Sequence, residues 1–154
     1  MKTLYLMRHA KAEPDGPAGD KSRPLSERGV RDAKDQGVAL REAGIDLALV
    51  STAVRTVQTF ECLGLDCRAE FMDALYHADA ELVLQRISEI DEDVKSLLVV
   101  GHSPTIPEVA SQLLSSTMPR EADQLRCHFP TATVTALRVE GPWSEIGKHP
   151  AELA

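Results

Sequence analysis

The chain has 154 residues, a formal net charge of −7 at pH 7, 43% hydrophobic and 27% charged residues. That length supports one domain over residues 1–154 with a substantial core. The acidic balance argues against a nucleic-acid binder, which presents a basic face, and requires any anionic ligand to be drawn in by a local group of arginines.

The first apolar run, Thr3-Leu4-Tyr5-Leu6-Met7, reads as a short buried strand that delivers Arg8 and His9 to its C-terminal end. Residues 11–24, with Pro14, Gly16, Pro17, Gly19 and Pro24, read as a loop of a length that is often functional. A helix then opens with Ser26 as N-cap, carries Val30, Ala33, Gly37 and Leu40 at helical spacing, and reaches Gly44 as a C-capping glycine. Leu47-Ala48-Leu49-Val50 is a second strand. Ser51 or Thr52 is the expected cap of the next helix, whose apolar stripe is Val54, Val57, Phe60 and Leu63 and whose end is Gly64. Arg68–Met72 is a third strand, and Asp79–Ile90 a helix. Ser96–Val100 is continuously apolar, which predicts a central parallel strand. Gly101-His102-Ser103-Pro104 is the turn leaving it, followed by a helix to Leu114. Thr133–Val139 reads as a last strand near an edge, and the tail from Gly141 as irregular.

No apolar run approaches the roughly 20 residues of a membrane span. The start of the chain has too few apolar residues before Arg8 for a signal peptide. Cys62, Cys67 and Cys127 are odd in number and fit no metal-ligand spacing; they read as reduced core or near-core thiols of a cytoplasmic protein. His128 and His149 read as surface residues, and the acidic run Glu89, Asp91, Glu92, Asp93 as a solvated helix end.

Strands alternating with helices imply an α/β/α sandwich on a mostly parallel sheet. The strand ends at Met7, Val50 and Val100 then share one sheet edge, where open α/β folds bind ligands. Arg8, His9, Arg55 and His102 converge there, with helix N-termini adding backbone donors. Arginine holds phosphate oxygens in a planar fork, and a neutral imidazole can attack phosphorus. Gly101-His102-Ser103-Pro104-Thr105 misses the serine-hydrolase elbow by its last glycine, so Ser103 is not a nucleophile.

Four ordered motifs carry a resemblance. Arg8-His9-Ala10 is similar to an Arg-His-Gly opening, and Arg23-Pro24-Leu25-Ser26-Glu27-Arg28-Gly29 to Arg-Pro-Leu-Thr/Ser-x-x-Gly. Ser51-Thr52-Ala53-Val54-Arg55-Thr56-Val57-Gln58-Thr59 is similar to Ser-Pro-x-x-Arg-x-x-Gln-Thr, and Val100-Gly101-His102-Ser103-Pro104 to Val-Gly-His-x-Pro. Together they resemble the histidine phosphatase superfamily, the phosphoglycerate-mutase-like fold, and within it the small SixA-type phosphohistidine phosphatases. The resemblance implies that His9 is the phosphorylated nucleophile and that Arg8, Arg55 and His102 hold the transferring oxygens, without metal or cofactor. It adds Arg23 and Ser103 as phosphate-binding candidates; Arg23 either reaches the phosphate or anchors its loop through an acidic partner.

Two departures stand out. Ala10 replaces the glycine. The glutamate that serves larger relatives as proton donor has no counterpart in Met72–Asp79, which leaves Asp73, Asp79 and His77 as candidates and Tyr76 as a rim or packing residue. Imidazole leaves with a conjugate-acid pKa of about 6.5, whereas an alcohol needs strong acid assistance. The expected substrate is therefore a phosphohistidine-bearing protein. The alternatives are a small-molecule phosphomonoesterase for a sugar or nucleotide phosphate, and a phosphate-binding module without turnover.

Overall fold

The computed structural model describes Met1–Ala154. Its apolar runs form one six-stranded sheet: β1 (Lys2–Arg8), β2 (Leu47–Ser51), β3 (Arg68–Met72), β4 (Ser96–Gly101), β5 (Val134–Val139) and β6 (Ala151–Leu153), in the spatial order β3-β2-β4-β1-β5-β6. β1 to β4 are mutually parallel, and β5 runs antiparallel to both β1 and β6. The helices are α1 (Glu27–Leu40), α2 (Val54–Leu63), α3 (Ala80–Ser88), α4 (Thr105–Leu114) and α5 (Pro119–Cys127).

Alternation along the strands sends side chains to two apolar layers. Met7, Ala48, Val50, Leu98 and Val100 meet α1 and α2 on one face. Leu4, Leu6, Leu47, Leu49, Leu97 and Val99 meet α3, α4 and α5 on the other. The result is the expected α/β/α sandwich, with a mixed sheet. Strand-by-strand winding reverses after β3, so β4 returns between β2 and β1 with its helices on the opposite face. Register fixes the consequence: Arg8 pairs with Gly101, and Val50 with Val100. Three strand ends thus reach one level at the reversal point, where such sheets open a crevice.

Ser26 caps α1 as expected, its hydroxyl accepting from the Gly29 amide at 3.1 Å. Gly37 is buried against α2; a Cβ there would lie 2.3 Å from the Leu63 carbonyl oxygen. That close packing offsets the roughly 1 kcal/mol that a mid-helix glycine costs.

Several expectations change. α1 ends at Leu40, and Gly44 lies in the turn beyond it. The N-cap of α2 is Ala53, with no side-chain cap bond, because Ser51 is still strand and its hydroxyl is turned to His102. The buried face of α2 is Arg55, Thr56, Thr59 and Leu63, while Val54, Val57 and Phe60 are only half-buried. The first turns of this helix face a polar cleft, and helix carbonyls satisfy the threonine hydroxyls: Thr59 donates to Arg55 O at 2.7 Å. β5 sits one strand in from the edge. The tail is ordered into the β6 edge strand, and Trp143 is fully buried with its indole N–H on Val94 O at 2.7 Å. Glu92, expected in a solvated run, binds Lys2 and the Trp143 and Ser144 amides, and this holds its pKa down to about 2. Cys62 and Cys67 are half-buried, their thiols pushed up by burial, but Cys127 is exposed at the end of α5, a helix that the sequence reading left unassigned.

Candidate active site

His9 leaves β1 at the reversal point. Its amide donates to Gly101 O at 2.9 Å, and the Ala132 amide donates to the Arg8 and His9 carbonyls at 3.2 and 3.1 Å, so the peptide is tied on both sides. The Ala10 amide donates to Thr59 Oγ1 at 3.0 Å, which joins this turn to α2. The imidazole is only 8% exposed. Its Nδ1 lies 2.7 Å from Ala10 O. A carbonyl only accepts, so Nδ1 carries the hydrogen and Nε2 keeps its lone pair. Burial first, then Arg55, Arg8 and Arg23, push its pKa down to about 4 against the pull of the Ala10 hydrogen bond.

His102, on the turn after β4, faces His9 edge-on with 5.4 Å between ring centroids. Its Nε2 is 2.8 Å from Ser51 Oγ at the end of β2. Burial, His9 and Arg55 push its pKa down to about 3. Both imidazoles are therefore neutral across the physiological range.

Two arginines complete the floor. Arg8 donates through Nη1 to Phe129 O at 3.0 Å. Arg55, 7% exposed, sits in the first turn of α2 and donates to the Asp20 carbonyl at 2.9 Å and to Asp20 Oδ2 at 3.2 Å. Arg8 Nε, Arg55 Nε and His102 Nδ1 are buried without a partner. Three polar groups on neighbouring residues thus keep unused hydrogen-bonding capacity within the protein.

The other expected residues fall around this floor. Arg23 donates to Glu13 O at 2.8 Å and pairs with Asp20 Oδ1 at 3.0 Å, so it anchors the 11–24 loop. Ser103 is exposed, and its hydroxyl has no hydrogen-bond partner. Asp79 caps α3 by accepting from the Leu82 amide at 2.8 Å. Asp73, at the surface, accepts from Thr52 and Lys21, and both hold its carboxyl below its usual value. His77 is exposed and tilts against Tyr76, with ring centroids 4.1 Å apart. Asp73 and Asp79 are thus both engaged by other partners. No group of three His, Cys, Asp or Glu side chains converges to hold a metal.

The sequence reading missed Asp20. Its carboxylate accepts from Arg23, Arg55 and the Tyr76 hydroxyl at the mouth of the cleft. Tyr76 first, then Arg23 and Arg55, hold it well below the usual carboxylate range. The signal was its place in the loop three residues before Arg23, a spacing that lets the two side chains pair. Ser51, read as a helix cap, is the partner of His102.

Two histidines and two arginines gather at the strand reversal of this α/β protein. The family model of the histidine phosphatase superfamily, branch 1, matches residues 4–80, half of the chain, and the chain belongs to that family. The match takes in Arg8, His9 and Arg55 and stops before His102. The uncharacterised protein Rv1276c of Mycobacterium tuberculosis is 41% identical over 145 residues, 91% of each chain. A protein of Haemophilus influenzae named as a phosphohistidine phosphatase SixA homolog is 30% identical over 163 residues, covering 96% of this chain and 94% of its own. Among solved structures, a Nakamurella multipartitia protein provisionally assigned as a SixA phosphohistidine phosphatase superposes with a TM-score of 0.90 at 34% identity, over 99% of this chain and 93% of its own. The protein histidine phosphatase SixA complexed with tungstate superposes with a TM-score of 0.80 at 26% identity, over 99% and 94%.

Proposed function

We propose that this protein is a metal-independent phosphohistidine phosphatase working through a phosphorylated His9. His9 Nε2 attacks phosphorus in line, the bond to the leaving group breaks with its electron pair going to that group, and water then cleaves the phosphoryl from His9. Arg8, Arg55 and His102 hold the equatorial oxygens; phosphoryl transfer needs positioning and charge neutralisation above all. When the Ser51 hydroxyl donates to His102 Nε2, the proton of His102 sits on Nδ1, where it meets a phosphoryl oxygen. The SixA relatives named above support the substrate class.

The observation that carries the choice of substrate is the state of the carboxyls around the mouth. Asp20 and Asp73 are held ionised by their partners, and Asp79 is committed to a helix cap. Asp20 and Asp73 therefore have no proton to give an alkoxide. An imidazole whose distal nitrogen already carries a proton leaves as the neutral base and needs none from the enzyme. The open mouth, with Lys21, Asp73 and His77 exposed around it, suits a side chain presented by another protein. The unpaired thiols accord with a cytoplasmic setting.

The test is kcat/KM at one pH for a phosphohistidine peptide, an aryl phosphate and glycerol phosphate. The expected order is steep, with the alkyl ester slowest by at least about a hundredfold. A flat series, or a preference for glycerol phosphate, makes the protein a small-molecule phosphomonoesterase; binding of phosphate with no turnover of any of the three makes it a binding module.

A further inference from the structure

The geometry points to Asp20 as a specificity-determining residue: an anionic acceptor at the mouth that receives the distal N–H of a bound, protonated phosphoimidazole and thereby favours phosphohistidine over phosphate esters. This rests on the function proposed above.

The first argument is direction. His9 lies on the floor, 8% exposed, and in-line attack puts the leaving group on the opposite side of phosphorus, toward solvent. Asp20 is the exposed partner of the buried Arg55. Its side chain is 53% exposed while that of its partner Arg55 is 9% exposed, so the ion pair runs from floor to mouth. Tyr76, which bonds Asp20, has its ring centroid 5.8 Å from that of His102, so the carboxylate borders the pocket wall.

The second argument is acceptor capacity. An ionised carboxylate offers about four lone-pair sites. Oδ2 takes Arg55 Nη2 and the Tyr76 hydroxyl, and Oδ1 takes Arg23 Nη1. One site on Oδ1 is left for a further donor. The three donors also immobilise the group, so accepting that donor costs little reorganisation.

The third argument is the chemistry of the two leaving groups. A phosphorylated imidazole that carries a proton on its distal nitrogen is cationic. When its N–P bond breaks, the electron pair returns to the leaving nitrogen and neutral imidazole departs, with no proton moved. A fixed anion facing the distal N–H strengthens binding of that cation. The same anion offers nothing to an ester oxygen, which has no hydrogen and gains negative charge as it leaves; there it repels. Asp20 therefore separates the substrate classes by charge.

The experiment compares wild type and Asp20→Asn on a phosphohistidine peptide and on p-nitrophenyl phosphate under the same conditions. The expected result is a fall of at least about tenfold in the ratio of the two kcat/KM values, because the amide keeps the shape and loses the charge. Tyr76→Phe, which removes one donor and leaves the anion, should move that ratio far less. The overturning result is a variant that loses both activities in the same proportion, which makes Asp20 a support for Arg55 and nothing more. If Asp20→Asn melts well below wild type, Asp20→Glu decides: recovery of the ratio sustains the inference and non-recovery ends it. Failure of the underlying function looks different, since wild type itself would then turn over p-nitrophenyl phosphate and leave the phosphohistidine peptide uncleaved.

Discussion

His9 and His102 stand ring edge to ring face, 5.4 Å between centroids, with Arg55 bearing on both. A proton on either ring meets the other ring, the arginines and a buried setting, so the pair stays neutral well into acid.

The pH dependence follows with a definite sign. NMR titration of the two side chains should give midpoints near 4 for His9 and 3 for His102, not near 6.5. The unfolded chain takes up these protons first as pH falls. His9 alone should therefore cost stability of about 2–3 kcal/mol between pH 6.5 and pH 4. Denaturant unfolding at pH 7 and pH 4.5 checks this: His9→Ala should lose less stability than wild type over that interval. Equal losses would mean that the imidazole is solvated.

Removing the nucleophile should abolish turnover and leave the fold. His9→Ala should lose several orders of magnitude in kcat, as is normal for a lost nucleophile. Its Tm at pH 7 should stay close to wild type, because the backbone ties at His9 do not involve the side chain. Residual activity above about a tenth would exclude a covalent His9 intermediate.

Arg55→Lys keeps the charge and loses the fork. The lysine cannot bridge Asp20 while also offering a buried Nε–H to the substrate. A loss of about a hundredfold or more in kcat/KM is expected, with KM raised as well as kcat lowered. Steady-state kinetics on p-nitrophenyl phosphate decides it, and near-wild-type rates would reduce Arg55 to a distant charge.

Chelation should leave the enzyme working. In the proposed mechanism the positive charge comes from Arg8 and Arg55, so no ion is required. Turnover in excess EDTA should match turnover without it, and added magnesium, zinc or manganese should give no gain. Activity lost to EDTA and restored by one metal would move the protein to another mechanism.

Glu92→Gln should weaken the tail clasp. The carboxylate joins Lys2 of β1 to the Trp143 and Ser144 amides. Its folded pKa near 2 lies below the unfolded value of about 4.3, so its contribution is complete above pH 4.3 and fades as pH falls toward 2. Thermal melts should show a lower Tm for the variant at pH 7, with the gap to wild type narrowing below pH 4.

The sequence made the parallel half of the sheet legible because β1, β2 and β4 are short apolar runs ended by polar chemistry. The cluster of Arg8, His9, Arg55 and His102 followed, since parallel strands must bring those ends together. What stayed hidden depends on contacts distant in sequence. β6 is three residues long and is a strand only because Leu137 and Val139 lie beside it. α5 is polar over most of its surface and buries only Ala122, so periodicity gave no signal. The face of α2 was misassigned because its buried threonines look like surface residues until the carbonyls that satisfy them are in view. Asp20 lay in a loop without periodicity, and its role appears only once Arg55 and Tyr76 reach it from two other segments.

The ties around the His9 peptide have an evolutionary consequence. The His9–Ala10 segment is held by the backbone of β4 and of the segment before β5, and by Thr59. The mouth is carried by two other stretches, residues 11–24 and 73–77, which share the Asp20–Tyr76 contact. The His9 turn and the mouth are therefore carried on separate pieces of chain, joined where Arg55 meets Asp20. Mutations in the mouth that spare the Asp20–Arg55 bonds can accumulate without touching the backbone ties of His9, so substrate preference is free to drift on a constant floor.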